Sequence, residues 1–276
     1  MEQTFLAGAT VINYAAGPAN GPPLLLLHGL MRRWQYMLPL IEGLSAQWQV
    51  FALDLRGHGL SGRVPGGYRH YQNYAPDVVA FLETQINEPA VLVGHSLGGL
   101  IALGAAARMP AKTRAVVVVE APLTPESILS TIKLGAWAWV PQLAGRPVEK
   151  LLALLRMLDR QAPLAYLEET AQELHHIDPE TTRYWAENRM AELLADYDID
   201  QTLQRLACPL LLVQANVANG GVMTDEDIAL AYALHDQVTL RQLPEADHEV
   251  GLNTGQVGPL LAVLAPFLDQ FRAGMS

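Results

Sequence analysis

Short runs of wholly apolar residues recur along the chain, among them LLLL at 24–27, AVLV at 90–93, AVVVV at 115–119 and PLLLV at 209–213. Each is bounded by Gly, Pro or polar residues and falls far short of the roughly 20 apolar residues that a membrane helix needs. Leucine-rich and β-branched runs of this length, without polar alternation, read as strands buried on both faces, the mark of a parallel sheet. The pattern predicts strands near 4–6, 10–14, 24–28, 50–54, 90–94, 115–120, 209–214 and 238–243. Helix-like stretches fall between them, near 34–46, 74–87, 97–109, 225–235 and 255–272. Strand and helix in alternation predict an α/β fold: a mostly parallel eight-stranded sheet covered by helices on both faces.

From Ala121 to about Leu206 the alternation stops and the chain reads as helical throughout, cut into short pieces by Pro141, Pro147, Pro163 and Pro179. The expected organisation is therefore a core of residues 1–120 and 207–276 with a helical cap, 121–206, inserted between two core strands. The edge of such a sheet that binds ligands is its carboxyl edge, so the cap is expected there.

Composition narrows the classes. Half of the 276 residues are hydrophobic and 17% are charged, which excludes disordered, collagen-like and disulfide-scaffold chains. Asp and Glu number 28 against 18 Lys and Arg, a net charge of −10, so nucleic acid and anionic membrane surfaces are not expected partners. The first residues carry neither a basic region nor an apolar stretch of the secretory kind, and a cytoplasmic location is the expectation. The lone cysteine, Cys208, reads as a small buried side chain at a strand start.

The strongest chemical signal is the segment AVLVGHSLGGL, residues 90–100, a buried strand running through G-x-S-x-G into a helix of small residues. Glycines permit a sharp strand-to-helix turn that lifts the Ser96 hydroxyl clear of the sheet, which makes it a candidate nucleophile. The strand 24–28 ends in His28-Gly29-Leu30. In hydrolases with such an elbow, the loop after this strand and the residue after the nucleophile each give one backbone N–H to an oxyanion hole, here Leu30 and Leu97. His28 reads as a loop-supporting residue.

HGL, DLRGHGLS, GHSLGG and a late histidine, His248, stand in the order and spacing of the α/β-hydrolase superfamily, which the chain resembles over nearly its whole length apart from the cap. The resemblance implies that the Asp54-Arg56-Gly57-His58-Gly59 segment is scaffold and that His248, after the last strand, is the catalytic base. It also implies an acid in the loop after strand 209–214. That loop offers Asn216 and Asn219 instead, and an amide cannot balance an imidazolium. Glu120 closes the apolar strand before the cap, where a carboxylate is costly unless paired, and some members of the superfamily carry their acid there. Glu120 is preferred as the acid. The alternatives are the loop around Asn216, with Asp225 or Asp227, and a structural Glu120 with no complete triad.

A serine at the elbow excludes the halide displacement and epoxide opening that need a carboxylate there, and points to acyl transfer. The expected substrate is a small, fairly apolar carboxylic ester or lactone, bound near Met31, Trp34, Trp137, Trp139 and Trp185. Arg32 and Arg33 could meet a substrate carboxylate, but facing water or pairing with the surplus acids is the preferred reading. No metal or organic cofactor is implied, the adjacent His175 and His176 lacking companion ligands. A monomer or homodimer is expected. Three other readings stand beside this one: a C–C hydrolase of ring-fission products, a cofactor-free perhydrolase, and a low-turnover ligand receptor suggested by Asn216.

Overall fold

The computed structural model describes residues 1–131 and 139–272. Eight strands form one sheet: β1 (Glu2–Ala7), β2 (Thr10–Ala16), β3 (Pro23–Leu27), β4 (Gln49–Leu53), β5 (Ala90–His95), β6 (Thr113–Val119), β7 (Leu210–Ala215) and β8 (Val238–Leu243). Their order across the sheet is β1-β2-β4-β3-β5-β6-β7-β8, with β1, β2 and β4 joined antiparallel and the remaining pairs parallel.

The apolar runs are continuous because both faces of the sheet are covered. Leu25 and Leu27 of β3 join one core cluster and Leu24 and Leu26 the other, all four with no exposed surface. Val116 and Val118 of β6 divide from Val117 and Val119 in the same way, as period-two strand geometry requires. On the first face lie α2 (His70–Thr84) and α3 (Leu97–Arg108); on the second lies α1 (Leu38–Leu44), which follows a single tighter turn at Trp34–Met37.

Between β6 and β7 every described element is helical: α4 (Pro125–Thr131), α5 (Val140–Leu143), α6 (Val148–Leu158), α7 (Leu164–His176), α8 (Arg183–Ala186), α9 (Met190–Leu193) and α10 (Ile199–Gln204), with one short 3-10 turn at Pro179–Thr182. This insertion has a small apolar cluster of its own, including Leu151, Ala171 and Leu174. After β7 come α11 (Asp225–Leu234), on the first face, and α12 (Gly258–Leu268), on the second. No helix among the described residues is long and apolar enough to cross a membrane.

The sequence pattern locates all eight strands. Its errors lie at ends: β6 stops at Val119 because Glu120 turns to φ +49°, outside the strand region, and the last helix is shorter than expected. Cys208 is buried just ahead of β7, and burial pushes its thiol up to about 11.

Candidate active site

Parallel pairing of β3, β5 and β6 sets the residues after their carboxyl ends side by side: Gly29 and Leu30, then Ser96, then Glu120. This is the sheet's switch point, since β3 is flanked by β4 on one side and β5 on the other. Ser96 has φ +52° and ψ −123°, a conformation that ordinary residues avoid. The turn is held by the Ser96 N–H, which donates to the Val119 carbonyl at 2.9 Å, and by the Gly99 N–H, which donates to the Ser96 carbonyl at 2.8 Å. The motif glycines are required by contact. A Cβ on Gly94 would lie 2.1 Å from the Gly98 carbonyl oxygen, and one on Gly98 would lie 2.2 Å from that of Leu27.

Glu120 is completely buried, and its carboxylate is satisfied by β7 and the loop after it: the Ala215 N–H donates to Oε1 at 2.9 Å and the Val222 N–H to Oε2 at 2.7 Å. Oε2 also stands 3.3 Å from Nδ1 of His248. Ser96 and His248 border the same cavity.

The residues around position 216 do something else. Asn216 accepts the Ala218 N–H and donates to the Pro244 carbonyl, tying its turn to the loop that carries His248. Asp227 caps α11 and accepts the N–H groups of Leu123 and Thr124, and Asp225 accepts from Gln214, so neither reaches His248.

Leu30 and Leu97 both border the same cavity as Ser96. Leu97 is the first residue of α3, where backbone N–H groups have no partner within the helix. The Leu30 loop is braced by two buried histidines. Nδ1–H of His28 donates to the Gly29 carbonyl while its Nε2 accepts the Leu55 N–H; Nδ1–H of His58 donates to the Arg56 carbonyl while its Nε2 accepts the Met31 N–H. With both nitrogens used, each ring is the neutral tautomer. Burial drives them down, His28 to about 4 and His58 to about 3. Asp54 accepts the Trp34 and Leu60 N–H groups and the Asn13 amide, so this segment holds the loops together.

His95 packs its ring 4.9 Å from that of His248 and donates from Nε2 to the His248 carbonyl at 2.8 Å. Burial first, then the nearby His248, lowers it to about 3. Arg32 reaches Glu173 of α7 at 2.6 Å and Glu249 at 2.8 Å, and Arg33 pairs with Glu169 one turn earlier on α7. Burial alone would raise Glu249, but Arg32, His95, the Tyr36 hydroxyl and His248 outweigh it and hold the carboxyl at about 2. Burial prevails at Glu173 despite Arg32 and raises it to about 7.

Five described non-glycine residues have positive φ, and four of them, Met31, Ser96, Glu120 and Val250, belong to this neighbourhood. Such strain persists only where the surroundings over-determine it. The cavity measures about 340 Å³, a size that suits a small molecule. Its walls bring Ser96 and His248 together with Ile128, Thr181, Trp185 and Leu193 of the insertion.

Met31 and Trp185 line this cavity, whereas two of the expected aromatic contacts do not. Trp34 sits on the Trp34–Met37 turn and donates from Nε1 to Glu2, and Trp139 stands largely exposed ahead of α5. Trp137 lies outside the described residues. Sequence reasoning passed over Tyr68, Tyr74 and Glu249, which also line the cavity. Only Glu249 carried a signal, its place beside His248. Among the described residues no group of three or more His, Cys, Asp or Glu gathers as a metal site.

A family model described as the alpha/beta hydrolase fold matches residues 22–245. The chain is 31% identical over 248 residues to the Variovorax paradoxus (strain S110) protein named "Putative carbamate hydrolase RutD", a match covering 84% of this chain and 86% of the relative. A shorter stretch of 101 residues is 38% identical to the 2-(acetamidomethylene)succinate hydrolase of Mesorhizobium japonicum, spanning 37% of this chain and only 36% of that protein. The crystal structure of E-2-(acetamidomethylene)succinate hydrolase superposes with a TM-score of 0.78 at 23% identity, covering 98% of this chain and 99% of the other.

Proposed function

The chain belongs to the alpha/beta hydrolase fold family, and we propose that within it this protein is a serine hydrolase of carboxylic esters, lactones included, working through Ser96, His248 and Glu120. The observation that carries the reading is the Glu120 carboxylate on Nδ1 of His248, with Ser96 facing the same cavity from its strained turn. In the proposed reaction the Ser96 oxygen bonds to the carbonyl carbon as Nε2 of His248 takes its proton. The charge that develops on the carbonyl oxygen meets the Leu30 and Leu97 N–H groups. His248 then gives the proton to the leaving alkoxide oxygen, and an acyl group remains on Ser96. Water, activated by the same ring, releases the acid.

Glu120 brings a carboxylate to the imidazole ring, whereas the Asn216 amide is spent on Pro244 and Ala218, and this favours turnover over a receptor that only binds. The relatives' names span a carbamate and a succinate derivative, so the choice of ester rests on this cavity. Its cation, Arg32, is already bound by two carboxylates and is poorly suited to select an anionic substrate. In this reading residues 121–206 act as the cap, because the insertion supplies one wall of the cavity.

Hydrolysis of p-nitrophenyl acetate, butyrate and octanoate and of a γ-lactone tests the proposal. Turnover that disappears in Ser96→Ala supports it. Equal turnover in Ser96→Ala, or none on any ester or lactone, defeats it.

A further inference from the structure

Tyr74, on α2, is 1% exposed and lines the cavity that holds Ser96 and His248, yet its hydroxyl has no hydrogen-bond partner. Buried hydroxyls are nearly always satisfied, and one left unpaired opposes folding. Tyr68 shows the contrast. Its ring lies 6.3 Å from that of Tyr74, and its hydroxyl donates to Asp178 at 2.5 Å while accepting the Val64 N–H at 2.7 Å. The donor on Tyr74 therefore has no use within the described fold.

Resting on the reading of Ser96 as an acylated nucleophile, we propose that the Tyr74 hydroxyl determines specificity by donating a hydrogen bond to an uncharged oxygen on the body of the substrate. The acceptor is a ketone, ether or hydroxyl oxygen remote from the scissile carbonyl, whose own oxygen belongs to the Leu30 and Leu97 amides. An anionic acceptor is disfavoured by the net charge near Tyr74, where the carboxylates of Asp178, held by Tyr68, and of Asp77 outnumber the one guanidinium, Arg56, that pairs with Asp77 at 2.6 Å. Arg32, bound by Glu173 and Glu249, offers no compensating charge. Burial first, then Tyr68 with Asp178 and Asp77 against the opposing pull of Arg56, holds the Tyr74 phenol well above its ordinary value, so it stays a donor. Elsewhere the cavity wall presents Leu100, Ile128, Trp185 and Leu193, which ask for hydrocarbon. The substrate class is thus an apolar ester or lactone that carries one further neutral oxygen. A site built around such a donor discriminates strongly against analogues that lack the acceptor.

The test compares p-nitrophenyl hexanoate with its 4-oxo and 5-oxo analogues, and hexyl acetate with 4-oxohexyl and 5-oxohexyl acetate, using wild type, Tyr74→Phe and Ser96→Ala. In the wild type at least one oxo ester should exceed its parent in kcat/KM, and Tyr74→Phe should cut that ratio about tenfold. Removing only an unpaired hydroxyl, Tyr74→Phe should melt no lower than wild type, which separates the effect from misfolding. A wild type that favours no oxo ester, or a ratio unchanged in Tyr74→Phe, overturns the Tyr74 assignment alone when Ser96→Ala is inactive. Hydrolysis that survives in Ser96→Ala overturns the nucleophile reading beneath it.

Discussion

Nδ1 of His248 lies 3.3 Å from a Glu120 carboxylate that also accepts the Ala215 and Val222 N–H groups. A side chain from the end of β6 is thereby aimed by β7 and the loop beyond it. Two backbone N–H groups thus fix the carboxylate against the imidazole ring.

Glu120→Gln should therefore lower turnover of p-nitrophenyl butyrate by about 10³- to 10⁴-fold, the scale seen when a triad carboxylate becomes an amide. Asn216→Ala removes only the ties to Ala218 and Pro244 and should cost less than about tenfold, since no reacting group depends on the amide. Steady-state kinetics on the two variants check the difference; equal losses contradict the assignment.

His58→Ala takes away the acceptor of the Met31 N–H and frees the loop that presents Leu30. Loss of one oxyanion donor typically costs about 10²- to 10³-fold in kcat, so a loosened donor should cost roughly 10- to 100-fold with KM little changed. A change confined to KM would place His58 in ground-state binding instead.

Stability should fall on acidification below neutrality. His28, His58 and His95 have folded values lowered to between about 3 and 4, so the unfolded chain protonates first. Their contribution is complete above pH 6.5 and is lost as pH falls through those values, at up to about 1.4 kcal/mol per pH unit for each ring. Glu173, raised to about 7, acts in the opposite sense: its contribution is complete below 4.5 and is lost as pH rises through 7. Three groups outweigh one between pH 4.5 and 6.5. Urea unfolding should show falling stability across that window on acidification, and a steeper fall in Glu173→Gln; a flat profile contradicts the neutral buried rings.

Arg32→Met leaves Glu173 and Glu249 facing each other without their shared cation. Breaking a buried ion pair from one side costs about 3–5 kcal/mol, so urea or thermal unfolding should register a loss of that size. A neutral result means that the two acids find other partners.

The fold was legible because its signal is local. Runs such as Leu24–Leu27 report burial on both faces and mark the middle of the sheet, while the edge strands β1 and β8, exposed along much of their length, show only as short β-prone stretches. Glu120 was legible as an acid that a buried strand end would not carry unpaired. What the sequence hides is direction. Trp34 follows the Leu30 loop directly, but the turn it stands on sends its indole to Glu2. Asn216 holds the position from which the resemblance expects an acid, yet its amide closes a turn and grips Pro244. Arg32 meets Glu173 and Glu249 across 141 and 217 residues of chain, pairings that no local pattern encodes. Tyr74 stands at the start of the predicted helix 74–87 with no local mark of its own, and only its buried, unpartnered hydroxyl sets it apart.

Covalent acylation of Ser96 is the most direct test. Rapid-quench mass spectrometry of the protein mixed with p-nitrophenyl butyrate should find a butyryl adduct on the peptide containing Ser96, formed together with a burst of one p-nitrophenol per chain. Continued turnover with no adduct, or with the acyl group on another residue, would contradict the account.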